Sequence, residues 1–345
     1  MGVALSKIIS FKEQDIKSFN GSVLAVDAMN MLYQFVTTIR QQDGTPLKDS
    51  HGNITSHLTG LFARCSKLLQ HNIKLVFVFD GLMPELKKQE RERRETLKAK
   101  ALEQLNTAEQ ERDIASMKKF SQRTARISKE MVQESKELLD AMGIPWVQAP
   151  SEGEAQAAHM VKKGECDYVA SQDFDCLIYG APRFVRNISL SHRKKKINAL
   201  TYQQIQPEVA TLSSVLEELQ LSLKQLQALS IIVGTDFNVG GIKGLGPKKA
   251  LKLVSEYGDD LEKLFNEIEY DKHFETSWKD VFELINNIAI TDKYTIEFKD
   301  TNPEKVKELL VDKHDFSIER VENKLKEIDE AKKKSQQTNL GNFFS

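Results

Sequence analysis

Asp27, Asp80, Asp173 and Asp175 share one setting in the chain. Val23-Leu24-Ala25-Val26 runs into Asp27, Leu75-Val76-Phe77-Val78-Phe79 runs into Asp80, and Tyr168-Val169-Ala170 leads through Ser171-Gln172 to Asp173-Phe174-Asp175. Apolar runs this short are expected to be buried strands. The third predicts two carboxylates, one residue apart, leaving the same face where its strand stops. In an open parallel sheet the ligand crevice lies beyond the carboxyl ends of the strands. Three strands ending in Asp therefore predict one acidic rim, the candidate active site.

Three more acids are candidates for that rim. Pro150-Ser151-Glu152-Gly153-Glu154-Ala155 lies between the second and third strands, and Gly234-Thr235-Asp236 follows an amphipathic helix over 222–233. Ser151 with Glu154 also has capping-box spacing, a purely structural reading of Glu154. All seven acids are hard oxygen donors with no His or Cys among them. Gathered in one cleft they would repel and raise one another's pKa unless cations neutralised them. Two Mg²⁺ or Mn²⁺ ions, ~3.5–4 Å apart, suit such a set and stabilise both the attacking and the leaving oxygen of phosphodiester displacement. A Lys or Arg can offset the charge that develops on the phosphate. Lys87 and Arg94, seven residues apart and so two turns apart on one helical face, are the candidates, with Arg91 and Arg93 competing for the second place.

The elements that must position these residues are legible in outline. The 345 residues allow one large α/β core, and 49 Lys or Arg against 50 Asp or Glu name no partner by overall charge. Three cysteines without CxxC or Cys/His spacing exclude a disulfide framework and a zinc site. No apolar run is long enough for a membrane span. Met1-Gly2 with Ser6 fits only a loose lipidation pattern. Tyr33 lies six residues beyond Asp27 on a helix, placed either to pack or to reach the rim. Arg64 lies off the apolar stripe of the next helix, beyond a turn-rich loop over 41–55. Residues 87–129 hold thirteen Lys or Arg with few large apolar residues, which predicts a poorly buried helical hairpin or a cationic lid.

Further along, residues 183–196 are basic and without acids, a surface hairpin or a phosphate contact. Gly244-Leu245-Gly246-Pro247-Lys248-Lys249 puts glycine and proline at the Ncap and N1 of a helix ending at Gly258. Free backbone amides at a positive helix end with two lysines suit a phosphodiester backbone. P-loop spacing is missing. After about residue 328 periodicity is lost, predicting a flexible tail in which Leu340, Phe343 and Phe344 form one apolar anchor.

Taken in order, Ala25-Val26-Asp27-Ala28, Val78-Phe79-Asp80-Gly81, Ala149 to Ala155, Gln172 to Cys176 and Gly244 to Ala250 resemble the archaeal and eukaryotic flap endonuclease family of structure-specific 5′ nucleases over nearly the whole chain. The resemblance implies a mostly parallel, twisted α/β sheet with helices on both faces, a PIN-like core. An inserted arch at 87–130 and a helix-turn-helix at 222–257 belong to a nuclease domain spanning 1–327, with a tail at 328–345. It implies that Asp27, Asp80, Glu152, Glu154, Asp173, Asp175 and Asp236 are metal-site residues for two Mg²⁺. Lys87 and Arg94 would contact the scissile phosphate. Contacts to DNA are implied at Tyr33, Arg40, Arg64, Glu152, Gly234, Asp236, Gly244, Gly246, Lys248 and Lys249, with K⁺ at the helix-turn-helix. The tail residues Gln337, Leu340, Phe343 and Phe344 are similar to the peptide that docks on a sliding clamp of the PCNA type. The implied protein is a cytoplasmic monomer that removes 5′ flaps from branched DNA in Okazaki fragment maturation and base excision repair. Alternatives are a 5′ exonuclease or junction-resolving relative, and a clamp-bound DNA-junction adaptor without catalysis. Departures are Leu82-Met83 after Asp80-Gly81, where relatives often carry Lys and Pro, and Gly153, where Ala is common.

Overall fold

In the computed structural model, which describes residues 5, 7–188, 193–195 and 202–341, the three apolar runs are adjacent strands at the centre of a seven-stranded sheet. The strands are β1 (Lys12–Glu13), β2 (Val23–Asp27), β3 (Lys74–Phe79), β4 (Trp146–Gln148), β5 (Tyr168–Ala170) and β6 (Arg183–Arg186), then β7 (Arg193–Lys195), β8 (Tyr202–Gln204) and β9 (Glu208–Thr211). Sheet order is β1-β9-β6-β5-β2-β3-β4, and β7 and β8 form a separate ribbon. All pairs from β4 through β6 are parallel. The mostly parallel expectation holds, with an antiparallel edge at β9 and β1.

The helices are α1 (Ala28–Thr38), α2 (Ser56–Gln70), α3 (Lys88–Glu111), α4 (Ile114–Arg123), α5 (Lys129–Ala141), α6 (Gly153–Lys162) and α7 (Asp175–Ile178). After β9 come α8 (Leu212–Leu219), α9 (Leu223–Val233), α10 (Pro247–Tyr257), α11 (Leu261–Glu267), α12 (Trp278–Asn286), α13 (Pro303–Lys307) and α14 (Ile318–Gly341). Strand alternation sorts them onto two faces. Leu24, Val26, Leu75, Phe77 and Phe79 join side chains of α1, α2, α5, α13 and α14. Ala25, Val76, Val78 and Val169 join those of α6, α7 and α8 through α12. Helices on both faces of a sheet buried on both sides are the expected doubly covered architecture.

The insertion is a hairpin of α3 and α4. Arg112 closes α3 in a left-handed conformation (φ 56°), and Asp113 caps α4 by accepting the Ala115 and Ser116 amides. Leu97, Leu102 and Ile114 are exposed, as the thin apolar stripe predicted. One leg is fastened to the body, because buried Ser121 donates its hydroxyl to the Gly44 carbonyl at 2.7 Å. The 41–55 loop is therefore a footing for the arch.

Between α12 and α13 residues 287–302 form a belt without helix or strand. Lys299 and Asn302 donate their amides to the Gly143 and Ala141 carbonyls, at 3.0 and 2.7 Å. The tail, expected to lose order after residue 328, continues α14 to Gly341. Ile328 is buried against the body, Lys332 pairs with Asp300, and Lys333 pairs with Asp329 one turn back. These contacts add to the helix propensity of Ala and Lys. Phe343 and Phe344, the side chains of Gln337 and Leu340, and the Met1-Gly2/Ser6 pattern lie outside the described residues. Among the described residues no helix is long and apolar enough to cross a membrane.

Candidate active site

Each central strand delivers its acid by a different local device. Asp27 ends β2 and caps α1, with Oδ1 accepting the Asn30 amide at 3.0 Å. Asp80 follows β3 and reaches across to α6, where its Oδ1 accepts the Gly153 amide at 2.7 Å. A Cβ at Gly153 would lie 2.8 Å from that oxygen and 3.2 Å from the Val78 carbonyl. Gly153 is thus the residue that lets Asp80 approach α6, which outweighs its cost in helix propensity.

The structure corrects two readings here. Ser151 and Glu154 do not form a capping box: Glu152 occupies the Ncap of α6 and its own side chain makes no capping hydrogen bond, the Gly153 amide going to Asp80 instead. Glu154 turns instead into the acid cluster, its Oε1 accepting the Ser171 hydroxyl at 3.0 Å. Asp173 and Asp175 do not leave one strand face either, since β5 stops at Ala170. Asp173 sits in the following turn with its amide on Ser171 Oγ at 3.2 Å, and Asp175 is the first residue of α7. A tight turn into a helix replaces extended backbone and still aims both acids at the rim.

Asp236 comes from the far side, just beyond α9. Its turn is locked by buried Asn238, which accepts the Thr235 amide and hydroxyl at 3.0 and 2.7 Å and donates to the Ile231 carbonyl at 2.6 Å. Gly234 and Gly241 press together so closely that a Cβ on Gly241 would lie 2.1 Å from the Val233 carbonyl.

Two cations and a buried acid complete the site. The Lys87 ammonium pairs with Glu152 and lies 3.4 Å from Asp236 Oδ2. Arg94 Nη2 donates to both Asp236 oxygens at 3.0 and 2.9 Å. Glu90, only 3% exposed, accepts from Arg93 Nε at 2.7 Å and from Arg94 Nε at 2.5 Å. Of the three competing arginines Arg94 reaches the acids, Arg93 stays with Glu90, and Arg91 pairs with exposed Glu95. Glu90, Asn30 and Ser171 were missed in the sequence. Only the i,i+4 spacing of Glu90 and Arg94 hinted at the first.

The electrostatics are those of a site short of positive charge. Burial pushes the Asp27 carboxyl up to about 8, reinforced by Asp80 and Asp173 and opposed by the Asn30 amide. Burial likewise holds Glu154 well above its ordinary value, aided by Asp175, Asp27 and Asp173. Asp80 and Glu152 are also raised by burial, although the Gly153 amide and Lys87 respectively oppose it. Burial alone would lower Lys87, but Glu152 and Asp236 outweigh it and hold it above its ordinary value. Seven hard oxygen donors, of which Asp27, Asp80, Glu152 and Glu154 are disfavoured as anions by burial, fit divalent cations such as Mg²⁺. As the side chains stand, no group of three or more among the described residues converges on one ion position. Glu152 and Asp236 are turned toward Lys87 and Arg94.

A stability test follows from these shifts. Unfolded carboxylates titrate near 4, so between about pH 4 and 8 the folded chain keeps a proton at Asp27 that the unfolded chain has lost. That contribution is complete below pH 4 and is lost as pH rises through 8, at up to ~1.4 kcal/mol per pH unit for each such group. In EDTA, Tm should fall from pH 5 to pH 8, and Mg²⁺ should flatten the slope. A flat Tm in EDTA would show that burial and the neighbouring acids do not hold the proton on Asp27.

The nucleic-acid candidates are scattered more widely. Tyr33 is 40% exposed on α1 with the Lys98 ammonium 5.7 Å from its ring centre, so the packed reading fails. Arg40 is spent on the Val36 and Gly44 carbonyls, and Arg64 lies half-buried on α2, its guanidinium lowered by burial. Neither joins the acids. Gly246 and Pro247 take the predicted Ncap and N1 places of α10, and Gly258 ends it. Gly244 has φ +89°, and Lys248 and Lys249 are exposed. The Lys249 amide is already used on the Gly246 carbonyl at 3.0 Å, so fewer amides are free than expected.

The XPG N-terminal domain matches residues 1–101 and the XPG I-region residues 143–236. Flap endonuclease 1 of Aeropyrum pernix is 45% identical over 100% of both chains. That of Pyrococcus furiosus is 44% identical over 100% of this chain and 99% of its own. Among solved structures, flap endonuclease-1 from Methanococcus jannaschii superposes with a TM-score of 0.75 at 36% identity, covering 96% of this chain and 98% of that one. The catalytic core of Rad2 in complex with DNA substrate shares the fold, with a TM-score of 0.70 at 22% identity over 95% and 100% of the two chains.

Proposed function

The chain belongs to the flap endonuclease 1 family, and on that premise we propose that its acidic rim hydrolyses the phosphodiester at the base of a 5′ flap on branched DNA. It is a structure-specific 5′ flap nuclease, a metal-dependent enzyme by family. The observation that carries the finer reading is the pairing of Lys87 and Arg94 with Glu152 and Asp236, at the edge where Asp27, Asp80, Glu154, Asp173 and Asp175 meet. Two Mg²⁺ ions, for which Mn²⁺ could substitute, would be held by these acids and would supply charge neutralisation and Lewis acidity toward water and phosphate.

The chain's own groups supply the rest. Lys87 and Arg94 exchange their carboxylate partners for the scissile phosphate, a trade of one set of charge-assisted hydrogen bonds for another. Tyr33 stacks on a base beside that phosphate. The turn between α9 and α10 holds duplex backbone through Lys248, Lys249 and its remaining amides, with Gly244 and Gly246 letting the backbone approach and K⁺ as a candidate companion. The α3/α4 hairpin guides the 5′ strand. Replication and repair of the archaeal chromosome, and hence the cytoplasm, are the setting of the same proposal.

The test is denaturing-gel mapping on an end-labelled 5′-flap duplex in Mg²⁺ and in EDTA, beside linear and four-way-junction controls. One metal-dependent cut at the flap base is expected. Ladders from linear ends or cuts in the junction would move the assignment to exonuclease or resolving relatives, and binding without cutting to the adaptor.

Docking on a sliding clamp through Gln337, Leu340, Phe343 and Phe344 belongs to the same proposal. A chain ending at Lys334 should lose roughly tenfold or more in clamp affinity, the scale of losing buried aromatic anchors, with clamp-free cleavage unchanged. Equal affinity by surface plasmon resonance would overturn it.

A further inference from the structure

Two neutral side chains outside the seven acids join the parts of the site that come from different elements. Ser171 Oγ lies 3.0 Å from Glu154 Oε1 and 3.2 Å from Asp27 Oδ2, and it accepts the Asp173 amide at 3.2 Å. Asn30 gives its backbone amide to Asp27 Oδ1 and its side-chain amide to Asp173 Oδ2, both at 3.0 Å. Between them the two residues touch acids contributed by β2, α6 and the turn after β5. Ser171 is 6% exposed and so spends its hydroxyl inside the protein.

The hydrogen-bond inventory makes this arrangement selective. A serine hydroxyl has one proton and two acceptor sites. With an acceptor site given to the Asp173 amide, its single proton can go to only one of Glu154 and Asp27 at a time, so one hydroxyl holds both acids in place without satisfying both. Asn30 is a pure donor toward both of its acids. We infer that Ser171 and Asn30 are positioning residues for the metal-holding acids, orienting Asp27, Glu154 and Asp173 through neutral groups that bring no positive charge of their own to the place a cation would take. Cationic partners in the same places would neutralise the acids and compete with the ions. That contrast is visible within the site, because Lys87 and Arg94 already occupy Glu152 and Asp236.

This inference rests on the metal-site reading proposed above, and the experiment separates the two. Full-length wild type, Ser171→Ala, Ser171→Thr and Asn30→Ala are titrated with Mg²⁺ alone, without DNA, and the Mg²⁺-induced rise in Tm is followed. Loss of a ligand's orienting partner typically weakens metal binding ~10–100-fold. Ser171→Ala and Asn30→Ala should therefore need about tenfold more Mg²⁺ for the half-maximal shift. Ser171→Thr, which restores the hydroxyl, should titrate within about twofold of wild type, a rescue that a packing role alone would not give. Wild-type midpoints in both alanine variants would overturn the inference, as would a Ser171→Thr midpoint displaced as far as that of Ser171→Ala. Should Ser171→Ala fail to fold, Asn30→Ala decides, since it removes only a side-chain amide from a half-buried position. Absence of any Mg²⁺ shift in wild type would overturn the metal-site reading itself and this inference with it.

Discussion

Asp173→Asn should bind 5′-flap DNA as wild type does and cleave it roughly 10³-fold more slowly, beyond the ~10–100-fold that follows from disturbing a ligand's supporting partner. The substitution keeps the shape of the side chain and an oxygen for the Asn30 amide, 3.0 Å away in wild type. It removes one of the charges that raise Asp27 and Glu154. The same change should therefore stabilise the metal-free protein at pH 8, where repulsion among ionised acids is greatest. Lower activity with higher Tm in EDTA is the expected signature of a group retained for function against stability. Single-turnover cleavage, filter binding in EDTA and a thermal melt measure the three quantities. A cleavage rate within a few-fold of wild type would remove Asp173 from the site.

That pairing of effects explains which parts of the site could be read from the chain. Asp27 and Asp80 were legible because an acid directly after four or five apolar residues marks the carboxyl end of a buried strand, where an open parallel sheet has its crevice. Their strands are buried on both faces, so the side chains alternate between two cores and no period-2 polar signal competes. Asp173 and Asp175 were assigned to the right rim for a wrong local reason, since spacing in sequence does not reveal that β5 stops at Ala170 and a turn begins. Glu154 was open to a capping explanation that fits its spacing equally well. Only the partner of Asp80, the Gly153 amide, shows why α6 starts where it does. The antiparallel edge of β9 and β1 left no trace because two- and four-residue strands carry little periodicity.

Ser171, Asn30 and Glu90 were illegible for a common reason. Each acts by hydrogen-bonding residues brought close by tertiary structure or by one helical turn, and a lone Ser, Asn or Glu is ordinary at a strand end or on a charged helix. The helix of α14 beyond residue 328 was missed in the opposite sense. Its polar composition reads as disorder, whereas the contacts that hold it, Ile328 in the core and Lys332 on Asp300 of the belt, come from remote sequence.

Replacing Lys87 by Met should have two effects of opposite dependence on cations. In the free protein Lys87 neutralises Glu152 and Asp236 while lying 5.5 Å from the Phe237 ring centre. Its side chain is 17% exposed and that of Glu152 10%, so the pair is screened little by solvent. Removing one partner of such a pair leaves an uncompensated buried charge, at a cost of ~3–5 kcal/mol. Lys87→Met should therefore lower Tm at pH 8 in EDTA, and Mg²⁺ should recover much of the loss. Catalysis should respond differently. If Lys87 moves from these acids to the scissile phosphate, its loss costs a donor aimed at developing charge, worth about 10²–10³-fold in the chemical step. Mg²⁺ that restores stability would not restore this. Single-turnover rates at saturating Mg²⁺, set beside melts at the same Mg²⁺, separate the two roles. A variant rescued in both by Mg²⁺ would confine Lys87 to neutralising the acids, and one deficient only in the rate would make the phosphate its main partner. Loss of stability in EDTA together with a rate deficit that persists in Mg²⁺ is the result the proposed function predicts, because the ammonium that pairs with two carboxylates in the free protein would serve the phosphate in the complex.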